Sequence, residues 1–214
     1  MRVKVCGITN LADALAAARL GADCVGFIRA HSPRQIPLAR AAEIIRDLPD
    51  RTSGVLVYRD AELAEVVDAL TATGCTWVQL HGQEPVEYLA ELRRRVPRAR
   101  IIKTWEVASL AAAAPLRAFL DAAAGAAAAV DVVLLDVPKA SLHPGYACLA
   151  AVAQSLSPRP PEVWLAGGLT PGNVTAAVVG ARFDGVYVAS GVELRPGVKD
   201  HAALRAFVES AKLL

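Results

Sequence analysis

The stretch MRVKVCGITNLADALAAARLGADCVGFI, residues 1–28, decides the fold. A short apolar run at 3–6 is followed by a turn through Gly7, Ile8 and Thr9. A helical pattern then spans 11–20, with Thr9 or Asn10 placed to cap its start and Gly21 placed to end it. A second apolar run follows at 24–28. Like most of the runs that follow, they are short and rich in apolar residues, the signature of strands buried on both faces, as in a parallel sheet.

The same unit recurs along the chain. Further apolar runs lie at 54–57, 77–80, 101–103, 132–135, 163–166 and 185–188. Between them come helical patterns at 38–48, 61–71, 85–95, 110–123, 146–155 and 173–178, and a last one follows at 202–213. Asp60 is placed to start the third helix, and Gly74 to end it. Eight strands alternating with eight helices predict an α/β fold, the (β/α)₈ or TIM barrel. A doubly wound dinucleotide-binding sheet would open with GxGxxG after its first strand; Cys6-Gly7-Ile8-Thr9 is not that motif. No linker divides the chain, so residues 1–214 are expected to form one domain.

Composition narrows the function classes. Apolar residues make up 54%, enough for a large core, and 23 basic against 21 acidic residues leave no electrostatic case for nucleic acid or an anionic membrane. The Ala-rich stretch at 108–130 is broken by Pro115, Arg117, Asp121 and Gly125, so it reads as a soluble helix and not a span. Cys6, Cys24, Cys75 and Cys148 form no CxxC pair and no metal-ligand spacing. Free thiols in a cytoplasmic protein without a metal are expected.

Barrel enzymes place their chemistry at strand C-termini and in the loops that follow. Several reactive side chains fall there. Cys6 ends the first strand and is either a small packing residue or a base or nucleophile. Asp136 follows Val132-Val133-Leu134-Leu135, where a carboxyl serves as a loop cap or as a general acid or base at the barrel mouth. Gln79 and His81 close the fourth strand and Lys103 the fifth; His81 is a core-edge imidazole or a substrate ligand. Arg34, in Ser32-Pro33-Arg34, is a solvated surface residue or a fork for a carboxylate. Gly167-Gly168 after the seventh strand and Ser190-Gly191 after the eighth are tight turns that also suit a phosphate cradle built from backbone N–H groups. Cys24, Cys75 and Cys148 read as packing residues.

With these positions marked, the chain resembles the phosphoribosylanthranilate isomerase family. The matching segments are Lys4-Val5-Cys6-Gly7-Ile8-Thr9, Ser32-Pro33-Arg34, Val78-Gln79-Leu80-His81-Gly82, Leu134-Leu135-Asp136, Leu165-Ala166-Gly167-Gly168-Leu169-Thr170-Pro171, and Ser190-Gly191-Val192-Glu193 leading to Pro196-Gly197-Val198-Lys199-Asp200. They run in family order over nearly the whole chain. The resemblance implies an Amadori rearrangement of N-(5-phosphoribosyl)anthranilate, with no metal or organic cofactor. It implies Asp136 as general acid, Cys6 as general base, Arg34 on the anthranilate carboxylate, and Gly168 with the Ser190-Gly191 turn on the phosphate. A small phosphorylated substrate, no nucleic-acid or membrane partner, and a monomer or homodimer complete the expectation.

The segment after the sixth strand departs from the family pattern. Val137-Pro138-Lys139-Ala140-Ser141-Leu142-His143-Pro144-Gly145-Tyr146 has one glycine and two prolines where the family carries a glycine-rich loop before an aromatic. Lys139 and His143 read as solvated residues or as substrate contacts. Ala189 stands where the family commonly has a serine, and Tyr58 ends the third run as a pocket wall or as packing on the third helix. These departures keep two alternatives in view: a paralogue acting on another phosphorylated amino-sugar, and a non-catalytic sugar-phosphate-binding barrel.

Overall fold

A computed structural model describes residues 1–138 and 144–214. Lys139 and His143 lie outside the described residues.

Eight parallel strands close into a barrel in sequence order: β1 (Arg2–Cys6), β2 (Cys24–Ile28), β3 (Ser53–Tyr58), β4 (Trp77–Leu80), β5 (Arg100–Glu106), β6 (Val132–Asp136), β7 (Glu162–Leu165) and β8 (Gly185–Val188). Closure is made by β1, which pairs with β2 through Lys4 and Cys24 and with β8 through Lys4 and Tyr187. The helices are α1 (Leu11–Leu20), α2 (Leu38–Arg46), α3 (Leu63–Thr73), α4 (Val86–Arg95), α5 (Ala113–Gly125), α6 (Tyr146–Ser155), α7 (Val174–Val178) and α8 (His201–Lys212). A short antiparallel pair, β9 (Glu193–Arg195) and β10 (Val198–Lys199), sits between β8 and α8 and was not foreshadowed by the apolar pattern. No described helix is long and apolar enough to cross a membrane.

Local signals explain most boundaries. The Asn10 side chain accepts the Asp13 N–H and so starts α1; Gly21 and Gly74 end α1 and α3 in the left-handed region. Asp60 does not start α3. It adopts a φ of 50°, and its carboxylate accepts from the Gln83 N–H, so α3 begins at Leu63 after a longer loop. β5 is longer than its apolar run, because Thr104 and Glu106 continue the ladder beside β6 with polar side chains. α8 buries Leu204, Phe207, Val208 and Ala211, one face of a helix, against the barrel wall. Each large side chain of that face contributes roughly 1.5–3 kcal/mol on burial.

Side chains alternate between an outer core under the helices and a column inside the barrel. Trp77 and Trp164 fill the bottom of that column with ring centroids 6.4 Å apart. Val55, Ile102, Val132 and Leu134 pack with them. Cys6 and Ala166 belong to the same column, and Ile28, Tyr187 and Ala189 pack against it. The other end of the column is the one where every strand terminates.

Candidate active site

A cavity of about 600 Å³ opens at the C-terminal end of the barrel. Its walls come from the ends of β2, β3, β5 and β6 and from the loops after β2, β4, β7 and β8. Arg34, His81, Asp136, Gly167, Gly168, Ser190 and Gly191 all line it. Seven of the eight site residues read from the sequence thus line one cavity.

Cys6 is the eighth, and it lies beneath. The thiol has no exposed surface and is not part of the cavity wall. Ile28, Tyr187 and Ala189 pack on the column that contains Cys6 and also line the cavity, so they form the floor above the thiol. Tyr187 packs on the column that contains Cys6, and burial pushes its phenol well above its ordinary range. Room for the thiol comes from Gly26 on β2: a Cβ there would sit 2.6 Å from Cys6 Sγ and 2.9 Å from Lys4 Nζ. Cys24, one layer lower, is pushed up to about 12 by burial and remains a thiol.

Asp136 ends β6, and its carboxylate accepts the Val137 N–H at 2.8 Å. His81 Nε2 lies 3.7 Å from Asp136 Oδ2. The orientation of His81 is set from below. Lys4 is fully buried, and its ammonium, which can only donate, binds Gln79 Oε1 at 2.7 Å. The Gln79 amide nitrogen must then face the other way. It reaches Thr104 Oγ1 at 3.0 Å and His81 Nδ1 at 3.2 Å. With Nδ1 accepting, the imidazole proton sits on Nε2, toward Asp136. His81 is therefore the end of a buried polar chain and not only a core-edge residue; its backbone N–H is separately bound to the Tyr58 carbonyl at 2.8 Å.

On the opposite wall, Arg34 meets Glu193 in a fork, with Nε 3.0 Å from both carboxylate oxygens and Nη2 2.7 Å from Oε2. Lys199 Nζ reaches the same carboxylate at 2.9 Å. Burial alone would raise the Glu193 carboxyl, but Arg34 and Lys199 outweigh it and hold the group below its usual range. Neither Glu193 nor Lys199 was singled out from the sequence, although both belong to the Ser190–Asp200 motif. Arg34 lies 159 positions from Glu193, and the Cys6 carbonyl 193 from Lys199, so nothing local marks these links to the barrel mouth.

The glycine turns are pinned by a neighbour that was also missed. Gly167 and Gly168 have φ of 96° and 64°, the left-handed region open to glycine. Tyr146, at the start of α6, donates to the Gly167 carbonyl at 2.9 Å, and Asn173 Nδ2 donates to the Gly168 carbonyl at 3.0 Å and to Tyr146 Oη at 3.2 Å. Asn173 Oδ1 accepts from Thr170 N–H at 2.7 Å and completes the turn.

One strand-end assignment changes. Lys103 does not close β5 and does not reach the cavity. It is 2% exposed and donates to Glu84 at 2.7 Å and to the Gly82 carbonyl at 2.6 Å, tying β5 to the β4 loop. Thr104 and Trp105 follow it before the true end at Glu106, which does line the cavity beside Arg59. Tyr58 lies almost wholly in the outer core and reaches the cavity as part of its wall.

Comparison with known proteins agrees with this arrangement. A family model described as N-(5'phosphoribosyl)anthranilate (PRA) isomerase matches residues 3–210. The N-(5'-phosphoribosyl)anthranilate isomerase of Symbiobacterium thermophilum is 39% identical over 219 residues, covering 99% of this chain and 98% of the relative. The crystal structure of phosphoribosyl anthranilate isomerase from Thermotoga maritima superposes with a TM-score of 0.87 at 31% identity, over 100% of both chains. A crystal structure of such an isomerase in complex with reduced 1-(o-carboxyphenylamino)-1-deoxyribulose 5-phosphate gives a TM-score of 0.84 at 32% identity, again over 100% of both chains. A whole-length match of this kind, on a barrel whose mouth gathers the motif residues, means that the chain belongs to the N-(5'-phosphoribosyl)anthranilate isomerase family.

Proposed function

We propose that the protein converts N-(5-phosphoribosyl)anthranilate to 1-(2-carboxyphenylamino)-1-deoxyribulose 5-phosphate. The observation that carries this reading is the convergence of Asp136, Arg34 and both glycine turns on one cavity, with Cys6 directly under its floor.

The substrate phosphate lies against Gly168, Ser190 and Gly191, with Gly167 shaping the turn, and the anthranilate carboxylate faces Arg34. Asp136 gives a proton to the furanose ring oxygen. The bond from that oxygen to C1 breaks as the anilino nitrogen supplies its lone pair, and an open-chain protonated Schiff base results. Cys6 then takes the proton from C2. The electron pair of that C–H bond becomes the C1–C2 double bond as the C1–N π pair returns to nitrogen, and the enolamine formed tautomerises to the aminoketone by gaining a proton at C1 and losing that of the C2 hydroxyl. The Nε2–H of His81 faces the Asp136 carboxylate and favours its charge once the proton has left.

Support for a cytoplasmic setting comes from four free cysteines. Product identification tests the function: mass-spectrometric and chromatographic comparison with authentic aminoketone after incubation with phosphoribosylanthranilate should show that compound alone. Unchanged substrate, or a different product, contradicts the reading. The altered segment after β6 favours no second substrate by itself, since residues 139–143 lie outside the described part.

A further inference from the structure

Arg34 offers two edges. Its Nε–Nη2 edge is taken by Glu193, so the Nη1–Nη2 edge carries the remaining donors, and the residue lines the cavity. The stem is fixed as well: it lies over Gly7, where a Cβ would be 2.7 Å from Arg34 Cδ. Glu193 is in turn held by Lys199, whose ammonium also binds the carbonyls of Cys6 at 2.6 Å and Ala189 at 3.1 Å. The Glu193 side chain is 4% exposed and that of Lys199 is fully buried. Asp13, which meets the Lys199 backbone N–H, is also engaged by His201 Nε2.

Arg34, Lys199 and Glu193 together bring two cations and one carboxylate into a largely buried cluster. One positive charge is left over, and a single ligand carboxylate would balance it. We propose that Glu193 and Lys199 form a brace that presents the free edge of Arg34 to one carboxylate of the substrate, making them positioning residues for carboxylate selection. The inference rests on the isomerase reading above and extends it to two residues that do not touch the substrate themselves. Removing the Glu193 charge lets Arg34 turn and leaves two cations facing each other.

The test compares two substrates, phosphoribosylanthranilate and its counterpart made from aniline, which lacks the carboxylate. In Glu193→Gln, KM for phosphoribosylanthranilate should rise about tenfold, while kcat for it and KM for the aniline counterpart stay within about twofold. Equal KM increases for both substrates would overturn the proposal, because a general structural role moves both. Wild-type protein that turns over neither substrate would instead remove the isomerase reading. Where Glu193→Gln does not fold, a crystal structure of the wild type with the reduced product analogue decides. Arg34 should keep its Glu193 fork and meet the carboxylate through Nη1 and Nη2; release of Glu193 on binding would overturn the brace.

Discussion

His81 Nε2 and Asp136 Oδ2 lie 3.7 Å apart, with the imidazole proton directed at the carboxylate by the chain Lys4, Gln79 and His81. The Asp136 carboxylate, the proposed general acid, thus faces a group whose tautomer is decided two residues away, inside the barrel. A glutamine at position 81 can place its amide N–H near the position of Nε2, whereas a leucine cannot. His81→Gln should keep kcat within about fivefold, and His81→Leu should lower it about 10- to 100-fold. Steady-state kinetics on both variants checks this; equal losses would show that the imidazole only fills space.

Gly26 is where the fold makes room for the Cys6 thiol. The Cβ of Gly26→Ala would lie 2.6 Å from Cys6 Sγ and 2.9 Å from Lys4 Nζ, so the thiol and the buried ammonium must shift. The variant should lose about 1–3 kcal/mol of stability and at least about tenfold in kcat/KM. Gly125→Ala is the control, since nothing lies within 4 Å of its added methyl. Chemical denaturation and activity on the two variants separate a local clash from a general intolerance of alanine.

Tyr187 covers the thiol. Tyr187→Ala should open Cys6 to the cavity, so that its site-resolved alkylation by a small reagent, read by peptide mass spectrometry, accelerates about tenfold or more. Unchanged labelling would mean that Ile28 or Ala189 forms the effective cover.

The Glu193 carboxyl is held below the usual 4.5 by Arg34 and Lys199. The unfolded chain therefore takes up its proton at higher pH than the folded chain. The stabilisation is fully present above about 4.5 and is lost as pH falls through the lower, folded value. Thermal melts of wild type and Glu193→Gln should differ most near neutrality and converge in acid below that point. A difference that stays constant into acid would contradict the assignment.

Much of this was legible in the residues. The apolar runs located all eight strands, because a strand buried on both faces leaves an unbroken Val, Ile and Leu signal. β5 was under-read for the same reason: Thr104 and Glu106 carry the ladder without the apolar signal. The cavity-lining residues were found because strand ends are the points where a polar side chain follows an apolar run. Lys4, Glu193 and Lys199 were not, since each acts through a partner far along the chain. Arg34 and Glu193 are 159 positions apart, and Lys4 and Gln79 are 75 apart. Asp60 shows the opposite failure, a sound capping signal overridden by a contact with the β4 loop.

The central claim is that Cys6 and Asp136 act as base and acid in one rearrangement. Freshly generated phosphoribosylanthranilate should lose its fluorescence rapidly with the wild type. With either Cys6→Ser or Asp136→Asn, both confirmed folded, the rate should fall by about 10³-fold or more. Wild-type decay no faster than that of the two variants would contradict the account.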